Sequence, residues 1–94
     1  MIMIIPRKFT LLGETIKVKL VVKVDKEGSW GEYNPNNNTI KLLKSLNEEQ
    51  KQSAFYHELI HCMTLTLGYQ GLYHDEIFTD IMGKALYQVL KTME

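Results

Sequence analysis

The sequence predicts an α+β domain, a small antiparallel sheet of three or four strands packed on two long helices. Three observations predict it. Residues 15–24 alternate in period two after a glycine turn, and residues 47–68 carry helix start and stop signals around an apolar run. Residues 75–93 repeat apolar pairs at four-residue steps. The 94 residues, 45% hydrophobic and 23% charged, suit one globular domain spanning 1–94, with no room for a second core.

Phe9 to Leu12, Gly13-Glu14 and Thr15 to Val24 read as a β-hairpin, with Gly13 supplying the positive φ at the first position of a two-residue turn. Ile16, Val18, Leu20, Val22 and Val24 alternate with Lys17, Lys19, Val21 and Lys23, one face buried and one wet. The lysine row reads as a solvated outer face rather than a phosphate-binding strip. Asp25 to Asn38 is loop-rich, and Asn34-Pro35-Asn36 is turn chemistry. Trp30 to Tyr33 should enter a second hairpin whose other strand is Thr39 to Leu43, with Ile40 and Leu42 facing in.

Asn47 is a good N-cap, with Gln50 at the capping-box position and Glu48 and Glu49 in the first turn. The helix runs to about Leu67, where Gly68 stops it. It is apolar nearly all round from Leu59 onward, the mark of a buried central helix. Phe55, Leu59, Cys62, Met63 and Thr66 share a face suited to the sheet; His57 and His61 look the other way. After a loop from Tyr69 to His74, a helix spans about Asp75 to Met93. One edge of it carries Glu76, Asp80, Gly83 and Tyr87 in a row, and Gly83 implies close approach of a neighbouring helix.

Formal net charge is zero, yet residues 1–47 carry eight Lys/Arg against four Asp/Glu and residues 48–94 carry three against seven. An acidic back half suits a domain that collects a cation there. The single cysteine, Cys62, excludes an internal disulfide and reads as a small buried hydrophobe. No segment approaches the ~20 apolar residues of a membrane span, and the apolar start Met1 to Ile5 lacks the basic region of a signal peptide. A cytoplasmic protein is expected.

The chemistry lies in His57-Glu58-Leu59-Ile60-His61. Two histidines four apart on a helix lie roughly 40° apart around the axis, close enough to reach one ion. The intervening glutamate can reach a water on that ion, as in H-E-x-x-H zinc sites, where it is base rather than ligand. Catalytic zinc keeps three protein ligands and one open position. The third ligand should come from the second helix, and Glu76 is the choice over Asp75, which suits an N-cap, and His74. Glu76 and Asp80 form an E-x-x-x-D pattern on one face, matching gluzincin peptidases, in which the glutamate binds zinc and the aspartate takes a hydrogen bond from a ligand histidine.

The whole chain resembles a family of small H-E-x-x-H proteins encoded by bacteriophages and prophages. The resemblance rests on Leu11-Leu12-Gly13, on Gly31-Glu32-Tyr33-Asn34-Pro35 leading to Leu42, on Phe55 to His61, and on His74 to Asp80. Its core is similar to the ImmA/IrrE and SprT-like zincins. The resemblance implies a gluzincin-type zinc peptidase on a minimal zincin-like scaffold, in a bacterial host cell.

Such an enzyme would use Glu58 as general base, with Tyr73, His74, Tyr87 and Tyr33 as candidate donors to the oxyanion. A peptide would add as a strand against residues 39–43. The competing reading is a zinc-stabilised protein-binding module without catalysis. Nucleic-acid binding through Lys17, Lys19 and Lys23 is the weakest class, so no nucleic-acid partner is expected.

Overall fold

The computed structural model describes residues 5–93, so most of the apolar start, Met1 to Ile4, lies outside the described residues. In chain order the elements are β1 (Lys8–Leu11), β2 (Glu14–Val21), β3 (Gly31–Asn34), β4 (Thr39–Leu43), α1 (Glu48–Thr66), α2 (Gln70–Tyr73) and α3 (Glu76–Thr92). Four strands form one sheet in the order β1-β2-β4-β3, and the helices cover one of its faces.

The first hairpin forms where the sequence placed it, but its turn is Leu12-Gly13. Leu11 pairs with Glu14, and both turn residues have positive φ, 48° and 83°. Two left-handed residues in succession match the right-handed twist of the flanking strands, which is the reason such turns close hairpins. β3 and β4 form the second hairpin, with Asn34 opposite Thr39 and Asn38 in the left-handed region.

The sheet is mixed rather than wholly antiparallel, because β2 and β4 run parallel, Val18 beside Ile40 and Leu20 beside Leu42. The loop after β2 passes the end of β4 and lays β3 down on the far side, so β4 slots between β2 and β3. That central place suits the strand whose Ile40 and Leu42 are fully buried. One expectation falls with this order. A peptide cannot add against residues 39–43, because both edges of β4 are already hydrogen-bonded. The strand beside the helices that keeps an open edge is β3.

The predicted inward row holds for Ile16, for Val18, which packs half-buried on the core, and for Val24, and fails between them: Leu20 is half exposed and Val22 almost fully so. α1 packs on β3 and β4, and Phe55 meets Phe9 of β1 edge-on at 6.1 Å, which leaves the far end of β2 uncovered. The core is Ile16, Ile40, Leu42, Ala54, Phe55 and Cys62.

α1 is bounded as its sequence demands. Asn47 Oδ1 accepts from Gln50 N at 2.8 Å, and Gln50 Oε1 accepts from Asn47 N at 3.1 Å. At the other end Gly68, with φ +86°, donates to Leu65 O, and Tyr69 donates to Thr64 O, the paired bonds of a Schellman stop. The residues after it form one further helical turn, α2, where the sequence showed only a loop. α3 then packs on α1 through its buried residues Thr79 and Gly83. A Cβ on Gly83 would lie 3.1 Å from His57 Cα, so the two backbones meet here as the glycine implied. That contact turns much of the apolar face of α3 outward.

Candidate metal centre

Because α1 is buried between sheet and α3, the residues on its α3 side look into the helix–helix seam. His57 and His61 stand there with ring centroids 5.1 Å apart. Asp75 caps α3 by accepting from Phe78 N at 3.0 Å, which places Glu76 in the first turn, facing the two rings. Glu76 Oε1 lies 3.2 Å from His61 Nε2, and Glu76 Oε2 lies 3.5 Å from His57 Nε2. One donor atom from each of His57, His61 and Glu76 falls within 4.8 Å of the others.

The far nitrogens face away from this point. His61 Nδ1 lies 3.1 Å from the carbonyl oxygen of Tyr73 and donates to it, which leaves the Nε2 lone pair free for an ion. His57 Nδ1 faces Asp80 Oδ1 at 3.9 Å. Asp80 is in turn gripped by Lys84 Nζ at 2.9 Å, and that hydrogen bond holds its carboxyl below the usual range. Burial holds His61 below the ordinary imidazole value, against the opposing pull of Glu76. Neutral imidazole is the form that binds metal.

This donor set fits zinc. Two imidazole nitrogens and one carboxylate are the three protein ligands of a catalytic zinc site, and both rings are already oriented. The cluster is a single Zn²⁺-binding site of the H-E-x-x-H type. Asp75 is committed to its cap. His74 lines the cleft with its ring against Tyr73, outside the cluster.

Glu58 is buried beside this site, and its carboxyl is pushed up to about 7, first by desolvation and then by the charges of Glu76 and Glu32. Gly31 of β3 lies next to it, and its own sheet leaves no room for a side chain there: a Cβ would lie 2.8 Å from Lys41 O and 2.9 Å from Leu42 Cδ2, though only at ordinary contact distance, 3.5 Å, from Glu58 Cγ. A cleft of about 350 Å³ opens over the site, lined among others by Lys26, Gly31, Tyr33, Glu58 and Tyr73. A second hollow of about 360 Å³, walled by Trp30, Ser53, Ala54, Asp80 and Lys84, shares Ser29, Gly31, His57 and Glu58 with it. The two form a groove with Glu58 between its halves.

Of the candidate oxyanion donors, Tyr87 is elsewhere, stacked on Tyr56 at 5.9 Å with Lys91 over its ring. Burial first, and then the neighbouring Cys62, push the Tyr33 hydroxyl up to about 12. Tyr73 and His74 remain at the cleft. Three contributors were not assigned to the site from the sequence: the Tyr73 carbonyl, which has no side-chain signal; Gly31, read there only as part of a strand; and Trp30, the sole tryptophan, whose partial exposure marks the groove. No helix among the described residues is long and apolar enough to cross a membrane.

Comparison with protein-family models, with curated proteins and with solved structures finds no match. The assignment therefore rests on the geometry: two imidazoles one turn apart, a carboxylate from the next long helix, and a buried glutamate between the imidazoles in sequence. That arrangement is consistent with a minimal zincin-like peptidase.

Proposed function

We propose that this chain is a zinc-dependent endopeptidase of minimal gluzincin type, with residues 1–94 acting as one domain. The observation that carries the reading is the meeting of His57, His61 and Glu76 within 4.8 Å, beside a buried carboxylate whose pKa is near 7. A structural metal site needs only the ligands. A base balanced near neutrality inside a cleft is what hydrolysis needs in addition.

His57, His61 and Glu76 would hold the ion, which when bound lowers the pKa of a water and polarises a carbonyl. Glu58 takes the proton of the attacking water and passes it to the leaving amine. The Tyr73 hydroxyl is the donor to the developing oxyanion, with His74 at the same wall as its rival. Asp80, steadied by Lys84, faces His57 Nδ1 at 3.9 Å, and its negative charge favours the tautomer with the proton on Nδ1, which leaves Nε2 for the ion.

The substrate chain adds to the free edge of β3, residues 31–34, by backbone hydrogen bonds. Its side chains fall into the two halves of the groove, one lined by Tyr73 and Lys26 and the other by Trp30 and Ala54. The resemblance to phage and prophage proteins and the lone cysteine support action in a bacterial cytoplasm, on a phage or host protein.

The test pairs metal content with cleavage of an unfolded protein, read by mass spectrometry. Wild-type protein should hold one zinc and cleave. Glu58→Gln should keep the zinc and lose cleavage, and equal activity would remove Glu58 from the mechanism. Glu76→Ala should lose zinc far more readily than His74→Ala or Asp75→Ala. Stoichiometric zinc without cleavage of any substrate would favour the second reading, a zinc-stabilised binding module, which the exposure of Glu76 and the open cleft also suit.

A further inference from the structure

The two halves of the groove differ in chemistry. Ser53 and Ala54 stand four residues before His57 and Glu58 on α1, one turn back along the same face. Their small side chains leave open a hollow of about 360 Å³ that begins at the ligand histidine and the buried glutamate. Trp30, just ahead of β3, supplies its one large apolar side chain and is 45% exposed. The Trp30 carbonyl oxygen accepts from Leu43 N at 2.9 Å, so the sheet holds the backbone of this wall in place.

The charges that border the hollow are already matched. Lys84 Nζ lies 2.9 Å from Asp80 Oδ2, so neither charge is left over for an incoming side chain. A cation entering here would meet Lys84 and an anion would meet Asp80, and each would lose its water without a free partner. The other half of the groove is different, with Lys26, Glu32 and His74 on its walls.

We propose that the Trp30 hollow is a specificity pocket for a large apolar side chain, aromatic above all, on the substrate residue next to the scissile bond. That position rests on the peptidase reading. The scissile carbonyl must lie at the ion held by His57, His61 and Glu76, and the hollow shares His57 and Glu58 with that site. A phenylalanine ring is favoured here in two ways, by the apolar area it removes from water and by edge-on or offset packing against the indole.

Two measurements test the pocket. In the first, cleavage sites in an unfolded protein are mapped by mass spectrometry, and Phe, Tyr, Leu or Met should dominate on one side of the cut. In synthetic peptides, replacing Phe by Ala at that position should lower kcat/KM by about 100-fold. Trp30→Ala removes one wall and Ser53→Leu fills the space from the other; each should reduce that ratio to about 10-fold or less while holding one zinc per chain. Cleavage without an apolar preference on either side, or a preference that both variants keep, overturns the pocket and leaves the peptidase reading intact. The second measurement needs no cleavage. In zinc-loaded Glu58→Gln the only tryptophan of the chain reports binding directly. A peptide with a central Phe should shift its emission and bind at least about 10-fold more tightly than the same peptide with Ala, Lys or Glu. This selectivity without cleavage of any substrate by wild-type protein would end the peptidase reading and keep the pocket as a binding site for an apolar side chain. Equal binding of the four peptides, or none, overturns the pocket whether or not the protein cleaves.

Discussion

Glu58 should make the metal-free protein less stable in alkali than in mild acid, by an amount the structure lets one work out. Its carboxyl titrates near 7 when folded, against 4.5 for an unperturbed glutamate. At ~1.4 kcal/mol per pH unit that difference corresponds to about 3 kcal/mol. The folded chain holds this proton more tightly than the unfolded one. The contribution is therefore fully present below about pH 4.5 and is lost as pH rises through about 7. His61, whose value burial lowers, works in the opposite direction in acid, so wild-type stability alone mixes the two.

Comparison with Glu58→Gln separates them, because glutamine copies the neutral carboxyl at every pH while His61 is common to both proteins. In urea denaturation with a chelator present, the advantage of Glu58→Gln over wild type should grow by about 2–3 kcal/mol between pH 5 and pH 8. Restoring zinc should shrink this gap, since a nearby cation favours the ionised carboxylate. A difference that stays flat with pH would show that Glu58 is not desolvated in the folded chain. The account of a base balanced near neutrality would then fail.

Other consequences concern packing. Gly83→Ala should raise the zinc dissociation constant about 10-fold in chelator competition despite the ~1 kcal/mol gain in helix propensity. The new Cβ would press on the His57 backbone at 3.1–3.2 Å and push Glu76 away from the rings; unchanged affinity would show that the helices can part without cost. Thr79 is fully buried, and its hydroxyl has no hydrogen-bond partner among the described residues. Thr79→Val should stabilise the fold by about 1 kcal/mol in denaturant titration, and a loss of that size would reveal a partner for the hydroxyl. Asn47→Ala removes one arm of the capping box and should lower stability by about 1 kcal/mol without altering zinc stoichiometry, measurable by thermal unfolding.

What the sequence determined by itself was local. The capping box at Asn47 and Gln50, the stop at Gly68, and the i, i+4 placement of His57 and His61 depend only on helix geometry within a few residues. The cap at Asp75 sets the register of Glu76 and Asp80 in the same way. Only the tertiary structure decided the rest. The place of β4 between two strands, the open edge on β3, and the carbonyl of Tyr73 that orients His61 all depend on contacts far apart in the chain. Strand order leaves almost no mark in a strand's own residues, and a backbone carbonyl leaves none. The apolar pairs of α3 would by periodicity alone have faced the core. A glycine and a buried threonine brought the other edge against α1 instead, because two backbones can come close only where side chains are small.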